Sequence, residues 1–273
     1  MDEIRENVFR SVIPSRTLPP YQSTNCYWIG HKSVLLIDTG DGSETGRTRL
    51  EEDWKRLGSP EVVGVLATHW HRDHTGGGGW AHRRFEAPLY LHPADRRAEL
   101  GQEPWEDLNA RQWTIDGVTV QVFDAPGHTP GQWNLFLPDS RGLIAGDNVL
   151  GNTTVVIGPR EGDLGHYLRT LDELIRLRPE WIGPGHGDII WDGVDRLEAY
   201  RRHRQERNRQ LLALLAEGPQ DADALARAVY PPEQVEVGTE MVRGHLAYFA
   251  AQGWVEDLGR TYRLVRGGPY DLS

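Results

Sequence analysis

Three histidines and an aspartate occur within six residues at the end of an apolar run, in the segment LATHWHRDHTGGGG, residues 66–79. In an extended chain, side chains two positions apart point to the same side, so His69 and His71 can face one point. Asp73 and His74 follow after the chain turns and can face a neighbouring point. Imidazole nitrogen and carboxylate oxygen suit zinc, with iron and manganese as competitors. The segment therefore predicts a metal site with donors for two ions.

Further potential ligands recur along the chain in similar surroundings. His128 in APGHTPG, Asp147 in LIAGDNVLG and His186 in IGPGHGD each follow an apolar, strand-like run and are flanked by glycine. Folds of the α/β class place ligand-binding groups in tight loops at strand ends. We therefore expect five histidines and two aspartates to converge. The four glycines at 76–79 are interpreted as space for a metal or substrate, because glycine lets the backbone approach closely.

The elements that would position these residues alternate between strands and helices. Short runs rich in β-branched residues, several of them apolar throughout, predict strands buried on both faces and hence a layered α/β domain. These runs are residues 33–40, 62–69, 89–93, 118–128, 134–139 and 141–147. Amphipathic segments predict helices at 44–57, 163–177 and 194–216.

The pattern changes after Gly218. DADALARAVY and TEMVRGHLAYFAAQG predict two helices, and WVEDLG and TYRLV predict a small hairpin. Two helices and a hairpin are typical of a winged helix-turn-helix. We divide the chain into a catalytic domain, residues 1–193, and a long helix with a winged-helix-like domain, residues 194–273.

Composition excludes several classes of function. The 273 residues carry a formal net charge of −10, which argues against a surface that grips phosphate backbones throughout. Cys26 is the only cysteine, so an intramolecular disulfide is impossible and a buried packing role is expected. Neither a signal-peptide pattern nor a membrane-spanning apolar run is evident, which predicts a cytoplasmic protein without a membrane partner.

The ordered motifs resemble those of the metallo-β-lactamase superfamily. They are LLIDTG with Asp38, THWHRDH at 68–74, PGHT, AGD and GPGHG, and the resemblance covers about residues 25–188. It implies an α/β fold, an αβ/βα sandwich with the metals at one sheet edge. One metal would be held by three histidines: His69, His71 and His128. The other would be held by Asp73, His74 and His186. Asp147 would bridge the two ions, and Asp38 would orient a ligand from outside the metal's own shell.

The resemblance also implies a reaction. Two zinc ions about 3.5–4 Å apart lower the pKa of a shared water toward 7, so a bridging hydroxide becomes the nucleophile. Asp73 would be the catalytic carboxylate that steers this water and receives its proton. The substrate is not fixed by the fold, because the superfamily cleaves lactams, thioesters, lactones and phosphodiesters.

The C-terminal region resembles that of the lactamase-beta-2-like group. This resemblance implies an endoribonuclease that acts on single-stranded RNA. The alternative function is a glyoxalase II-like thioester hydrolase, and a third possibility is an iron-dependent persulfide dioxygenase. A hypothesis from a different class of function is a non-catalytic winged-helix regulator. Residues 210–273 hold nine acidic and five basic residues, so duplex DNA binding is not expected. Residues 196–209 hold six arginines against two glutamates, and either a polyanion guide or a solvated helix explains them. The oligomeric state stays open.

Overall fold

In the computed structural model, which describes residues 1–265, two β-sheets pack face to face. The first sheet has seven strands in chain order: β1 (Asp2–Arg5), β2 (Val8–Pro14), β3 (Ser23–Gly30), β4 (Ser33–Ile37), β5 (Glu61–Leu66), β6 (Leu89–Tyr90) and β7 (Trp105–Glu106). Strands β1 to β4 pair antiparallel, and β4 to β7 pair parallel.

The second sheet has five strands and also mixes parallel with antiparallel pairing. Its strands are β8 (Gln112–Ile115), β9 (Val118–Asp124), β10 (Trp133–Leu137), β11 (Gly142–Gly146) and β12 (Trp181–Pro184). Strands β8 to β11 pair antiparallel as a meander, whereas β12 pairs parallel to β11 at the edge. A parallel neighbour needs a crossover, and a helix between β11 and β12 supplies it.

Seven α-helices complete the described chain. They are α1 (Glu44–Arg56), α2 (Arg72–Thr75), α3 (Gly78–Phe85), α4 (Leu164–Leu177), α5 (Gly193–Ala216), α6 (Ala222–Val229) and α7 (Val235–Ala251). Caps define where the two crossover helices begin: Ser43 accepts from the Gly46 amide before α1, and Asp163 accepts from the His166 amide before α4.

Apolar side chains fill three layers, as an αβ/βα sandwich requires. Between the sheets, Ile29 and Leu66 of the first sheet pack with Leu135 of the second. Outside the first sheet, Leu50 of α1 joins a second apolar cluster, and outside the second sheet α4 and the start of α5 form a third. The metallo-β-lactamase sandwich expected from the motifs is confirmed.

The predicted strands and long helices are present with small shifts of their ends. Helix α1 covers residues 44–56 against the predicted 44–57, and α4 begins one residue later than predicted. The N-terminal strands β1 to β3 were not among the predicted strands. Strand β2 ends at Pro14 and contains exposed residues at alternate positions, which weakens the apolar signal.

The C-terminal residues form their own apolar cluster. Leu211 and Leu215 at the end of α5 pack with Leu225 of α6 and Leu246 of α7. Strands β13 (Val255–Asp257) and β14 (Tyr262–Leu264) then pair antiparallel. The last eight residues of the predicted domain, 266–273, lie outside the described residues. Within residues 1–265, none of the helices has the length and apolarity needed to cross a bilayer.

Candidate metal centre

Strand ends from both sheets meet at one edge of the sandwich and carry the predicted site residues. The loop after β5, together with α2, supplies four of them, and single residues come from the loops after β4, β9, β11 and β12. The structure brings together all eight residues singled out by the sequence: Asp38, His69, His71, Asp73, His74, His128, Asp147 and His186.

Three histidines form the first donor group. His71 Nδ1 lies 3.0 Å from His69 Nε2 and 3.1 Å from His128 Nε2. Nitrogens bound tetrahedrally at about 2.0–2.1 Å from zinc are about 3.3 Å apart, so these spacings suit a shared ion. His69 and His71 do face one point, as the two-residue spacing predicts.

The second donor group combines two imidazoles with a carboxylate. His186 Nε2 lies 3.2 Å from His74 Nε2 and 3.3 Å from Asp73 Oδ2. His186 Nδ1 faces the Ser23 carbonyl oxygen at 2.7 Å, which directs Nε2 into the cluster. Such a backbone contact on the far nitrogen is how proteins orient metal-binding histidines.

Asp147 lies between the two groups. Its Oδ1 is 3.4 Å from His74 Nε2, and its Oδ2 is 3.4 Å from His186 Nε2 and 3.9 Å from His128 Nε2. Asp147 Oδ1 is buried and has no hydrogen-bond partner. A buried carboxylate oxygen without a partner is costly unless a cation satisfies it. The donor set therefore fits metal ions, and the histidine and aspartate groups could hold them.

Asp38 anchors the site from the end of β4. Its carboxylate accepts from the Thr68 amide at 2.7 Å and the Thr68 hydroxyl at 2.9 Å, and it lies 2.8 Å from His74 Nδ1. His74 thus donates Nδ1–H to Asp38 and turns Nε2 toward the other ligands. Asp38 has a φ of 59°, a left-handed conformation that aspartate tolerates better than most residues.

The charges divide the site into two halves. Burial favours a neutral His74, but the carboxylates of Asp38 and Asp147 outweigh it and hold the pKa of His74 well above its usual range. Burial is likewise outweighed at His186, where Asp147 raises the pKa to about 10. At His128, burial lowers the pKa to about 4. His128 therefore favours its neutral form, whereas the carboxylates around His74 and His186 favour positive charge in the second group.

Two acidic residues that the sequence did not indicate support the first group. The buried Asp95 accepts from the Thr129 hydroxyl at 2.6 Å, the Gly131 amide at 2.7 Å and the Trp70 amide at 3.2 Å, so it joins the loop of His69 and His71 to that of His128. Glu161 Oε2 lies 2.8 Å from His71 Nε2. Neither follows a strand in a glycine-flanked motif, and no local signal marks them.

The glycine run has a different role from the predicted one. A Cβ at Gly77 would lie 2.4 Å from the Thr39 carbonyl oxygen, and one at Gly78 would lie 2.6 Å from the Trp105 ring. The glycines therefore allow the start of α3 to pack closely against protein. The prediction that they leave space for a metal or substrate is wrong.

A cavity of about 460 Å³ opens above the donor groups. It is lined by Arg16, Thr17, Leu18, Pro19, Tyr21, Trp70, Arg72, Leu150, Thr153, Thr154, Val155 and Val156, and by five of the cluster residues. Residues 153–156 of the loop between β11 and α4 contribute to this lining. Tyr21 stacks on His186 with ring centroids 5.4 Å apart.

Named proteins resemble this chain in sequence over about seven tenths of its length. "Beta-lactamase-like protein 2 homolog" of Caenorhabditis elegans is 29% identical over 201 residues, which cover 72% of this chain and 66% of that protein. "Lactamase-like protein nscB" of Aspergillus fumigatus is 33% identical over 195 residues, 71% of this chain and 57% of that protein. The chain thus spans less than two thirds of the length of these relatives.

Solved structures extend the likeness to nearly the whole chain. A metallo-beta-lactamase family protein from Thermus thermophilus superposes with a TM-score of 0.82 at 25% identity, covering 96% of this chain and all of that one. A beta-lactamase domain protein from Burkholderia ambifaria has the same fold, with a TM-score of 0.84 at 21% identity over 97% of this chain and 93% of its own. The family model of the metallo-beta-lactamase superfamily matches residues 20–186, and the chain belongs to that superfamily.

Proposed function

We propose that this protein is a metal-dependent hydrolase that uses two zinc ions. The observation that carries the proposal is the pair of donor groups with Asp147 between them, whose neighbouring donor atoms lie 3.0–3.4 Å apart at the floor of a cavity. His69, His71 and His128 would hold one ion, Asp73, His74 and His186 the other, and Asp147 would contact both. When bound, such ions make hydroxide available at neutral pH and polarise the bond to be cleaved.

Asp73 is the carboxylate that we propose as the proton acceptor. Burial opposes its ionised form, but His74 and a hydrogen bond with His186 lower the pKa of Asp73 below its usual range. Because it stays ionised, this carboxylate can orient a water at the cavity floor by hydrogen bonding, and it would take a proton only from a water that bound ions have already acidified.

The cavity lining supports a small ester-type substrate with an apolar acyl group. Leu18, Leu150, Val155 and Val156 contribute aliphatic side chains to the lining of the cavity that holds the donor groups. An apolar pocket with a few convergent polar groups is typical of small-molecule sites. We therefore favour a thioester or related carboxylic ester, the activity of a glyoxalase II-like hydrolase.

Single-stranded RNA is the second candidate substrate. Arg16 and Arg72 at the cavity, with the rings of Tyr21 and Trp70, offer the cations and stacking surfaces that single strands use. Helix α5 adds little to this. Each of its six arginines already contacts protein: Arg196 the Gly151 carbonyl, Arg201 Asp172, Arg202 Glu198, Arg204 the Val155 carbonyl, Arg207 the Val229 carbonyl and Arg209 Glu206. Because the six arginines are already paired within the protein, they support a structural role for α5 and not a role in guiding a polyanion to the site.

We also propose that α6, α7 and the β13–β14 hairpin form a winged-helix unit that packs and does not read DNA. The two potential phosphate contacts of α7 are engaged elsewhere. Arg243 pairs with Glu240 at 2.6 Å, and the buried His245 contacts Asn208 at 2.6 Å. Groove-reading helices need free basic residues.

The experiment assays zinc-loaded protein side by side on S-lactoylglutathione, a para-nitrophenyl ester, single-stranded RNA and a chromogenic lactam. Chelator-sensitive turnover of an ester or thioester supports the first candidate, and RNA cleavage supports the second. His128→Ala should abolish the activity, whereas His166→Ala, an exposed histidine, should retain it. Metal content near two zinc per chain is expected. One iron per chain and no hydrolysis would support a persulfide dioxygenase and contradict the proposal.

A further inference from the structure

One side of the cavity is formed by residues 150–157, here named the wall segment. It lies between β11 and α4, contains no helix or strand, and supplies Leu150, Val155 and Val156 to the cavity lining. The Val156 carbonyl oxygen lies 3.3 Å from His128 Nδ1. The position of the wall segment therefore affects both the space for a substrate and the orientation of one donor histidine.

Helix α5 holds the backbone of the wall segment through three side chains. Residues 196, 200 and 204 are four apart and so lie on one face of the helix. Arg196 Nη1 donates to the Gly151 carbonyl at 2.8 Å, and Arg204 Nη2 donates to the Val155 carbonyl. The Tyr200 hydroxyl accepts from the Leu150 amide at 3.0 Å and faces the carbonyl oxygens of residues 150 and 153.

The contacts of Tyr200 with residue 150 and of Arg204 with residue 155 are buried, so these polar side chains lose their hydration. Arg204 is only 1% exposed, and its guanidinium stacks over the Tyr167 ring at 5.4 Å. Tyr167 in turn donates its hydroxyl to the Asn148 carbonyl at 2.7 Å, next to Asp147. A fully buried arginine is rare and requires dedicated partners. Backbone carbonyl oxygens of the wall segment thus accept hydrogen bonds from all three of these α5 side chains.

Helix α7 also contacts the wall segment, at residue 157. A Cβ at Gly244 would lie 2.2 Å from the Ile157 carbonyl oxygen, so only glycine lets α7 approach the wall segment this closely. This distance is much shorter than real Cβ contacts. A residue larger than glycine at position 244 must therefore displace the backbone at residue 157.

We infer that the C-terminal helices set the shape of the cavity: Arg196, Tyr200, Arg204 and Gly244 are positioning residues that fix the wall segment and thereby select the acyl group. This inference on selectivity rests on the proposed hydrolase function. The mechanical part, that α5 and α7 immobilise residues 150–157, stands on the contacts alone. The inference thus gives α5 and α7 a role in the choice of substrate.

The first test measures amide hydrogen exchange in the metal-loaded protein. Tyr200→Phe removes one hydroxyl that meets three backbone groups, so exchange at residues 150–156 should become about ten-fold faster. Arg202→Gln is the matched control, since Arg202 on the same helix pairs only with Glu198 at the surface. Unchanged exchange in Tyr200→Phe, with the fold intact, would overturn the inference whatever the protein hydrolyses.

The second test measures selectivity between para-nitrophenyl acetate and para-nitrophenyl octanoate. Gly244→Ala should displace residue 157 and the adjoining lining residues, change KM for the longer ester more than KM for acetate, and change the ratio of kcat/KM values by about five-fold. If Gly244→Ala does not fold, the same selectivity is measured with Tyr200→Phe. An unaltered ratio in both variants contradicts the inference. If the wild type hydrolyses neither ester, the proposed ester substrate fails, while the exchange experiment still decides the positioning role.

Discussion

Asp147 lies between the two donor groups, and its Oδ1 is buried without a hydrogen-bond partner. Its two oxygens lie between His74, His186 and His128. A single carboxylate in this position can balance charge for both proposed ions, which no other residue of the cluster can do from one place. The consequences of changing it should therefore exceed those of changing a supporting residue.

Asp147→Asn is expected to keep the fold and lose most activity. The amide is neutral and keeps only one oxygen donor, so kcat/KM should fall by more than the ~10–100-fold typical of changes outside the ligand set. Zinc stoichiometry by elemental analysis should drop toward one, with circular dichroism unchanged. Asp192→Asn, an exposed aspartate without a side-chain cap bond, is the control. Wild-type turnover in Asp147→Asn would contradict the assignment.

Asp95→Asn tests a residue that supports the ligands from behind. The amide nitrogen would replace one carboxylate oxygen and lose the bonds from Thr129 and Trp70. Since these bonds join the two histidine loops, zinc affinity should fall about 10–100-fold. Competition with a chromogenic chelator measures this, with the exposed Glu99→Gln as the control. Equal affinities in Asp95→Asn and the wild type would show that Asp95 does not position the loops.

At the scale of elements, ligand-bearing loops and strands were predictable, because a polar residue after a buried strand is a local pattern. His128, Asp147 and His186 were identified in this way, each beside glycine. Asp95, Glu161 and Tyr200 were not, because their importance lies in contacts with residues 25 to 90 positions away, which no local pattern records. The glycine run was misinterpreted for the same reason: its partners, Thr39 and Trp105, are distant in sequence.

Gly77→Ala should destabilise the packing between the β4 loop and the start of α3. The new Cβ would meet the Thr39 carbonyl oxygen at 2.4 Å, and Thr39 itself bonds to the His74 carbonyl. We expect a loss of about 1–3 kcal/mol in the free energy of unfolding, measured in urea on the metal-free protein. Gly158→Ala is the control, because its Cβ would meet only ordinary contacts at 3.7 Å or more. Equal losses in the two variants would contradict this explanation.

His245, between α5 and α7, should make stability depend on pH. Burial, and then the charges of Arg204, Arg207 and His203 on α5, hold its pKa well below 6.5. The native imidazole stays neutral while the unfolded one is protonated below pH 6.5, so the contribution is present above that pH and is lost as pH falls. The slope is up to about 1.4 kcal/mol per pH unit.

The measurement compares the free energy of unfolding at pH 7.5 and pH 5, with chelator present. His245→Gln should reduce the difference between the two pH values relative to the wild type. The exposed His166→Gln should leave it unchanged. An identical pH dependence in His245→Gln would mean that His245 does not carry the expected proton uptake.

At the scale of the whole molecule, the site joins the two sheets. Its residues come from the ends of β4 and β5 in one sheet and of β9, β11 and β12 in the other. An ion bound there contacts both halves of the sandwich in the native state and only dispersed side chains after unfolding. Metal should therefore stabilise the protein as a unit.

Zinc at 100 times its Kd should raise the free energy of unfolding by about 2.7 kcal/mol per site, and the Tm accordingly. Thermal unfolding with zinc, with magnesium and with chelator measures this. Magnesium should have little effect, because it prefers oxygen ligands and this site is rich in imidazole. His128→Ala should show a smaller zinc shift, and a full shift in that variant would count against the first donor group.

The spread of the donor residues along the chain also has a kinetic consequence. Asp38 and His186 bracket almost 150 residues, and the loops between them must close before the donors can meet. We therefore expect the complete set of donors to assemble late in folding. Ion capture by a refolding chain should report that both halves have already docked.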